Sequence, residues 1–189
     1  MVISKAKSNS YPQNGVGNDG DLVSVHWKTK TNKLPKVSQT LETLSGRSIE
    51  IGAIQGEHSW LAGIHEYGCD IQVTPKMRAF LHYQGLHLKD STKYIKIPER
   101  SFLRSSHDEN AEDVIEQSER ALGQVLGGKM SPEQYMDMVG RDYVTMVKEY
   151  IVELDDPPNH PFTVDQKGSS NPLIGRTNGL VESISYRLK

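Results

Sequence analysis

Hydrophobic and polar residues alternate with two different periods along this chain, and the longer period dominates its second half. Between residues 106 and 126, apolar side chains recur at spacings of three and four, which predicts a helix with one buried face. Ser106 and Glu109 have the spacing of a capping box, so we expect that helix to begin at Ser106. Residues 131–134, Ser-Pro-Glu-Gln, form a second helix start, and the same apolar spacings then continue to Leu154.

The shorter period, typical of strands, marks the first half of the chain and its end. Apolar and polar residues alternate over residues 48–54, 94–97 and 180–188, and each stretch predicts a strand with one buried face. We expect residues 77–88 to form a strand, a bend and a second strand. The connections are too short for helical crossovers, so the pairing should be antiparallel. The chain is therefore predicted to be an α+β protein, with a small antiparallel β-sheet packed against two helices.

Shorter segments complete the predicted domain organisation. Residues 37–44 and 60–67 have helical spacing and should form two short helices. Residues 1–20 are polar and rich in turn-forming pairs such as Asn-Gly, so we expect a flexible or extended arm ahead of a single domain over residues 21–189. Residues 159–178 should form a long polar loop, which at this length usually makes contacts or carries function.

Composition narrows the class of protein. The chain has 189 residues with 22 basic and 24 acidic side chains, a net charge of −2, which argues against a general nucleic-acid binder. Its single cysteine, Cys69, permits no intrachain disulfide and suits a reducing compartment. No run of about 18 apolar residues is present, so we expect no membrane-spanning helix.

The histidines and the cysteine raise the question of catalysis or metal binding. His65 and Glu66 are adjacent, but no histidine follows at the spacing of a helix-borne zinc pair. His82 and His87, five residues apart, should lie on opposite faces of a strand. We therefore expect no metal and no cofactor, and we keep a small metal-dependent hydrolase using His58, His65 and Glu66 as an alternative.

An acidic cluster lies within the first predicted long helix. Two explanations are open: acids favour a helix N-terminus and a solvated face, or they form an acidic wall that faces a channel or a basic partner. The cluster supplies four interface candidates: Glu109, Glu112, Asp113 and Glu116.

The stretch at residues 97–104 joins the two halves and supplies three further candidates. Pro98 has no N–H to donate and should end the preceding strand. Phe102 is an apolar residue at the point where strand gives way to helix, and it should be buried. Arg100 and Arg104 carry planar guanidinium groups suited to carboxylates or carbonyls, so we expect them to act structurally or at an interface.

Three stretches resemble, in order, the signatures of one family. They are LAGIHEYG at residues 61–68, IPERSFLR at 97–104 and KGSSNPLI at 167–174, and LVESISY at 180–186 extends the third. Together they are similar to the neck and tail-completion (virion morphogenesis) proteins of tailed bacteriophages, including tail-terminator-like members. The chain departs from the pattern at residues 175–179, Gly-Arg-Thr-Asn-Gly, where the family has Asp-Thr-Gly.

The resemblance implies a structural virion protein with no enzymatic activity and no cofactor. It implies a homo-oligomeric ring at the head–tail interface, for which we expect six or twelve subunits. The expected partners are the neighbouring connector, neck and tail-tube proteins, with genome DNA passing through the ring without specific binding and with no membrane involved. A monomeric binding module remains a further alternative.

Overall fold

The computed structural model describes residues 34–54, 56 and 58–189 and confirms the α+β class. The chain divides into two units, residues 1–46 and 47–189. In the first unit the structure describes one helix, α1 (Leu34–Ser45), which confirms the helix expected at residues 37–44. The expected arm, residues 1–20, lies outside the described residues.

A helical pair and a two-stranded sheet form the core of the second unit. Helix α4 (Phe102–Leu126) packs against α5 (Pro132–Glu153). Strands β1 (Ile49–Ala53) and β4 (Ile184–Leu188) pair antiparallel, and both pack on α5. The largest fully buried apolar side chains come from these elements: Phe102, Ile151 and Ile184.

A second antiparallel pair lies apart from the first. Helix α2 (His58–Tyr67) leads through Gly68 into β2 (Cys69–Gln72), which pairs with β3 (Tyr94–Ile97). Gly68 has a φ of +68°, and a Cβ there would lie 2.8 Å from the amide nitrogen of Glu99, so a larger residue would be both strained and obstructed. The expected single sheet is therefore wrong, since the described strands form two separate two-stranded sheets.

Helix α3 (Pro75–Tyr83) occupies the stretch where a strand, a bend and a strand were expected, so that prediction is wrong. Thr74 accepts a hydrogen bond from the amide of Met77, and Pro75 stands at the first helical position. Both features are local helix-start signals. The partly buried side chains of Met77 and Leu81 are four residues apart, which is the spacing of one helical face.

The C-terminal region also holds more helix than the sequence pattern predicts. Residues 159–178 contain α6 (Pro161–Lys167), so they are not a continuous loop. Helix α7 (Gly179–Ser183) precedes β4, so the predicted strand over residues 180–188 begins only at Ile184. Within the part of the chain that the structure describes, no helix is long and apolar enough to cross a membrane.

Candidate functional site

Glu66 connects the end of α2 to the beginning of α4. Its carboxylate is 3 % exposed and accepts hydrogen bonds from the amides of Leu103 at 2.9 Å and Arg104 at 3.1 Å. The first amides of a helix have no partner within it, and they favour a negative charge. The N-cap residue Ser101 makes no side-chain capping bond, so Glu66 supplies the capping acceptor from a distant part of the sequence.

Because of this contact, α4 begins at Phe102 rather than at Ser106, and the predicted capping box of Ser106 and Glu109 is wrong. Ser106 is fully buried in the first turns of α4, and its hydroxyl donates to the carbonyl of Leu103 at 3.0 Å. Phe102, expected to be buried, has 0 % exposure.

Arg104 adds a second layer of contacts around the same carboxylate. Its guanidinium donates to a carboxylate oxygen of Glu66 at 3.0 Å, to the carbonyl of Glu66 at 2.9 Å and to the carboxylate of Glu99 at 2.7 Å. It also lies over the ring of Tyr67, 4.9 Å from the centroid. The bonds to Glu66 and Glu99 raise the pKa of Arg104. Arg104 thus ties the end of α2 to the start of α4 at the surface.

Arg100 is buried and joins β3 to the segment that follows α5. Its side chain donates to the carbonyls of Pro157 at 2.8 Å and Pro158 at 3.3 Å and to the side-chain oxygen of Asn159 at 3.2 Å. Its amide donates to the carbonyl of His65 at 2.7 Å. These acceptors are neutral, so the planar fork serves here to hold backbone carbonyls in place.

Asn171 performs the corresponding role at the end of α5. Its amide group donates to the carbonyls of Ile151, Val152 and Leu154 at 2.9–3.1 Å. Its side-chain oxygen accepts from the amides of Leu173 and Ile174, both at 2.8 Å. One side chain therefore satisfies unpaired carbonyls at a helix C-terminus and fixes the turn that follows.

Lys167 and Asn159 complete this network. The Lys167 ammonium donates to the carbonyls of Asn171 at 3.2 Å and Pro172 at 2.8 Å. The amide of Asn159 donates to the carbonyl of Asn171 at 3.4 Å, so the contacts of Arg100 continue into those of Asn171. We call the network the motif junction; its polar side chains are Glu66, Arg100, Arg104, Asn159, Lys167 and Asn171.

His65 lies at the motif junction but has an unpaired nitrogen. Its Nδ1 is buried and has no hydrogen-bond partner among the described residues. Burial, followed by the charges of Arg100 and Lys167, lowers the pKa of His65 from 6.5 to about 4. The imidazole is therefore neutral near pH 7.

A cleft of about 730 Å³ adjoins His65. Its lining is mainly apolar, with Ile71, Leu86 and Ile95 on one side and Phe162 among the residues after α5. Arg100 also lines the cleft, and its guanidinium bonds to carbonyl and amide oxygens of the segment after α5. The cleft was not expected from sequence, because its lining comes from five stretches of the chain that are separate in sequence.

Two of the residues considered for hydrolysis, Glu66 and His58, contact other elements of the fold. Both carboxylate oxygens of Glu66 accept bonds from the start of α4, and the imidazole of His58 lies against Gly179. Within residues 34–54, 56 and 58–189, no group of three or more His, Cys, Asp or Glu side chains is placed to bind a metal ion.

His82 and His87 do not lie on opposite faces of a strand, and that expectation is wrong. His82 is on α3 and His87 is in the following loop, with their Nδ1 atoms 2.7 Å apart. The helical turn, rather than a two-residue alternation, brings the two rings together.

The acidic candidates all lie beyond the first turn of α4, because that helix begins earlier than expected. The dipole explanation for them is therefore wrong, since the effect fades within a turn of the terminus. All four are exposed: Glu109, Glu112, Asp113 and Glu116.

These four side chains divide between two surroundings. Glu109 accepts a hydrogen bond from the hydroxyl of Tyr150 on α5 at 3.1 Å, and Asp113 lines a groove between α4 and α5. Glu116 is paired with Arg120 on its own helix. Glu109 and Asp113 therefore lie beside α5, whereas Glu116 is paired within α4.

Comparison of the chain with protein-family models, with curated proteins and with solved structures found no match. The features of the molecule that bear on function are therefore the three sequence motifs and the contacts that their residues make. Those motifs supply most of the motif junction, since Glu66 belongs to the first, Arg100 and Arg104 to the second, and Lys167 and Asn171 to the third.

Proposed function

We propose that this protein is a structural subunit of a tailed-phage virion, acting at the head–tail interface as a neck, tail-completion or tail-terminator protein. It forms a homo-oligomeric ring of six or twelve subunits around the DNA channel and joins head to tail. The single observation that supports this most directly is the motif junction. Three motifs that resemble one family in the same order, far apart in sequence, meet in one hydrogen-bonded network.

That convergence matters because isolated motifs match by accident more easily than connected ones. Glu66 of the first motif bonds to the amides of Leu103 and Arg104 in the second. Arg100 of the second motif reaches Asn171 of the third through Asn159. Residues of all three motifs thus belong to one hydrogen-bonded network, so the resemblance and the contacts support each other.

Symmetry and charge agree with a ring around DNA. A head-to-tail contact repeated by a closing rotation produces a ring. A channel through which DNA passes should not hold phosphates tightly, and a net charge of −2 with an exposed acidic face on α4 suits that requirement. We assign Glu112 and Glu116 to the channel wall. The protein acts in the virion, which is assembled in the host cytoplasm.

The hydrolase alternative has less support. Its expected carboxylate, Glu66, is used by the start of α4, and His65 is neutral and buried at one nitrogen. The monomeric binding module is favoured by one observation, the apolar cleft beside His65. Ligand-sized clefts of this kind are common binding sites, so that function stands as the second candidate.

The mass of the assembled protein separates the two candidates. For the purified full chain, multi-angle light scattering across a wide concentration range should give six or twelve times the monomer mass of 21.2 kDa. Labelled subunits should also be located by electron microscopy between head and tail of the particles. A 21.2 kDa monomer at every concentration, together with particles that lack the label, would contradict the proposal.

A further inference from the structure

Residues 74–97, which we call the α3–β3 segment, form a surface whose aromatic side chains have little cover. Phe80 is 58 % exposed, Tyr83 is 86 % exposed and Tyr94 is 58 % exposed. Among the described elements, α3 packs extensively against no other helix or strand. Single exposed aromatics are ordinary, but several on one short segment are typical of a contact surface.

The α3–β3 segment is held in a fixed shape before any partner binds. The guanidinium of Arg78 donates to the carbonyls of Leu88 at 3.2 Å, Lys89 at 2.9 Å and Thr92 at 2.7 Å. These bonds fix the loop between α3 and β3. A surface that is already ordered loses less conformational entropy when it binds, which favours association.

The same segment is basic. Residues 74–97 contain five lysine or arginine side chains and one aspartate, Asp90. Its four lysines are all exposed: Lys76, Lys89, Lys93 and Lys96. The segment therefore presents positive charge around exposed aromatic rings, which suits an acidic surface with an apolar floor.

A surface of that kind lies elsewhere on the same chain, in the groove between α4 and α5. The α4–α5 groove has a volume of about 370 Å³ and an apolar floor that includes Val114 and Met146. None of the described residues lining it is basic, and four are acidic: Asp113, Asp142, Glu149 and Glu153.

We propose that the α3–β3 segment of one subunit docks in the α4–α5 groove of a second copy of this chain. The segment is net positive and the groove lining is acidic, so neither surface is complementary to itself, and a symmetric contact of either surface with its own copy would place mainly like charges together. A contact between two different surfaces of identical chains is heterologous, and it generates a ring when the rotation closes. The inference rests on the proposed function and specifies the interface that the ring would use.

Charge reversal tests this pairing. The segment variant carries Lys89→Glu and Lys93→Glu, and the groove variant carries Glu149→Lys and Glu153→Lys. All four side chains are exposed, so the thermal unfolding midpoint of each variant should match that of the unaltered protein. Each variant by itself should associate about a hundredfold more weakly, because like charges then face each other.

Mixing the two variants should restore assembly. In the mixed ring the carboxylates introduced in the segment of the first variant face the ammonium groups introduced in the groove of the second. The unaltered segment of the second variant faces the unaltered groove of the first, so an alternating ring of even number can close. Light scattering should then give the mass of the unaltered ring at a one-to-one ratio. As a matched control, Asp108→Lys with Glu119→Lys places the same reversal at two exposed positions of α4 that do not line the groove, and it should leave assembly unchanged.

Several outcomes would overturn the docking proposal. Normal assembly of either variant alone, or no recovery on mixing, means that these surfaces do not meet. If the segment variant assembles normally but binds duplex DNA more weakly than the unaltered protein does, the segment is a nucleic-acid contact instead. If the unaltered protein stays monomeric, self-docking is also rejected, and the location of labelled subunits in particles then decides the proposed function separately.

Discussion

The motif junction and the α3–β3 segment use polar side chains in opposite ways. The motif junction uses side chains that bond to backbone groups at least 20 residues away in sequence: Glu66, Arg100 and Asn171. Glu66 and Arg100 are buried, and Asn171 is half-buried. In the α3–β3 segment, Arg78 bonds to the loop that follows it, and the side chains of Phe80, Tyr83 and Tyr94 are exposed.

The difference separates residues that maintain the fold from residues available to a partner. A polar group that loses its partner inside a protein costs far more free energy than one that returns to water. Substitutions in the motif junction should therefore lower the free energy of unfolding, whereas those on the outer face of the α3–β3 segment should leave it nearly unchanged and alter association instead.

Two phenylalanines should give the largest contrast. Phe102 is fully buried, so Phe102→Ala should lower the free energy of unfolding by about 3–5 kcal/mol. Phe80 is 58 % exposed on α3, and Phe80→Ala should cost less than about 1 kcal/mol. Urea denaturation of both variants measures the difference, and similar losses for the two would remove the distinction between the regions.

Asn171 should give the next largest effect. In Asn171→Asp the donating amide is replaced by an oxygen that faces the carbonyls of Ile151, Val152 and Leu154. We expect a loss of about 2–4 kcal/mol in thermal or chemical unfolding, because donors are lost and like partial charges meet. The control Asn110→Asp makes the same chemical change at an exposed position of α4 and should stay within about 0.5 kcal/mol. Equal losses in both would show that Asn171 is not a capping residue.

A substitution at Glu66 should lower the free energy of unfolding by a smaller amount. Glu66→Gln keeps the shape but turns an amide donor toward the amide of either Leu103 or Arg104, and it should cost about 1–3 kcal/mol. Glu99→Gln removes the other carboxylate that contacts Arg104, but at an exposed site, and should cost less than about 1 kcal/mol. If the Glu99 variant is the less stable of the two, the start of α4 does not depend on Glu66.

The pH dependence of stability gives a further contrast, at His65. The folded chain takes up a proton at this imidazole only near pH 4, while the unfolded chain does so near 6.5. The stability contributed by neutral His65 is therefore complete above pH 6.5 and is lost as the pH falls to about 4. His65→Asn should flatten the curve of unfolding free energy against pH in that window, and exposed His107→Asn should not. Parallel curves for all three proteins would contradict the low pKa.

Local signals in the sequence were sufficient for α5 and for the positions of β1 and β3. The capping box of Ser131 and Gln134 forms as predicted, because both of its hydrogen bonds join residues three apart. Strand β3 also follows its isoleucine alternation, since its two isoleucines are partly buried and their neighbours Tyr94 and Lys96 are exposed.

The sequence at the start of α3 contains a helix-start signal, but the apolar pattern after it favoured strands. Thr74 and Pro75 mark a helix start, yet the aromatic and apolar residues after them suggested strands. Short apolar runs do not distinguish strand from helix by their period, so the capping residues were the better guide. The wrong assignment also separated His82 from His87, which α3 and its following loop bring together.

What the sequence alone determined was the α+β class, the long helices and the order of the three motifs. Tertiary structure decided where α4 begins, because its capping carboxylate, Glu66, lies 37 residues before Leu103 in sequence. It likewise decided that the three motifs form one motif junction, since the contact of Arg100 with Pro157 spans 57 residues. No local spacing encodes such contacts; they arise only when the packing of α4, α5 and β1 has brought the segments together and excluded water from the bonds between them.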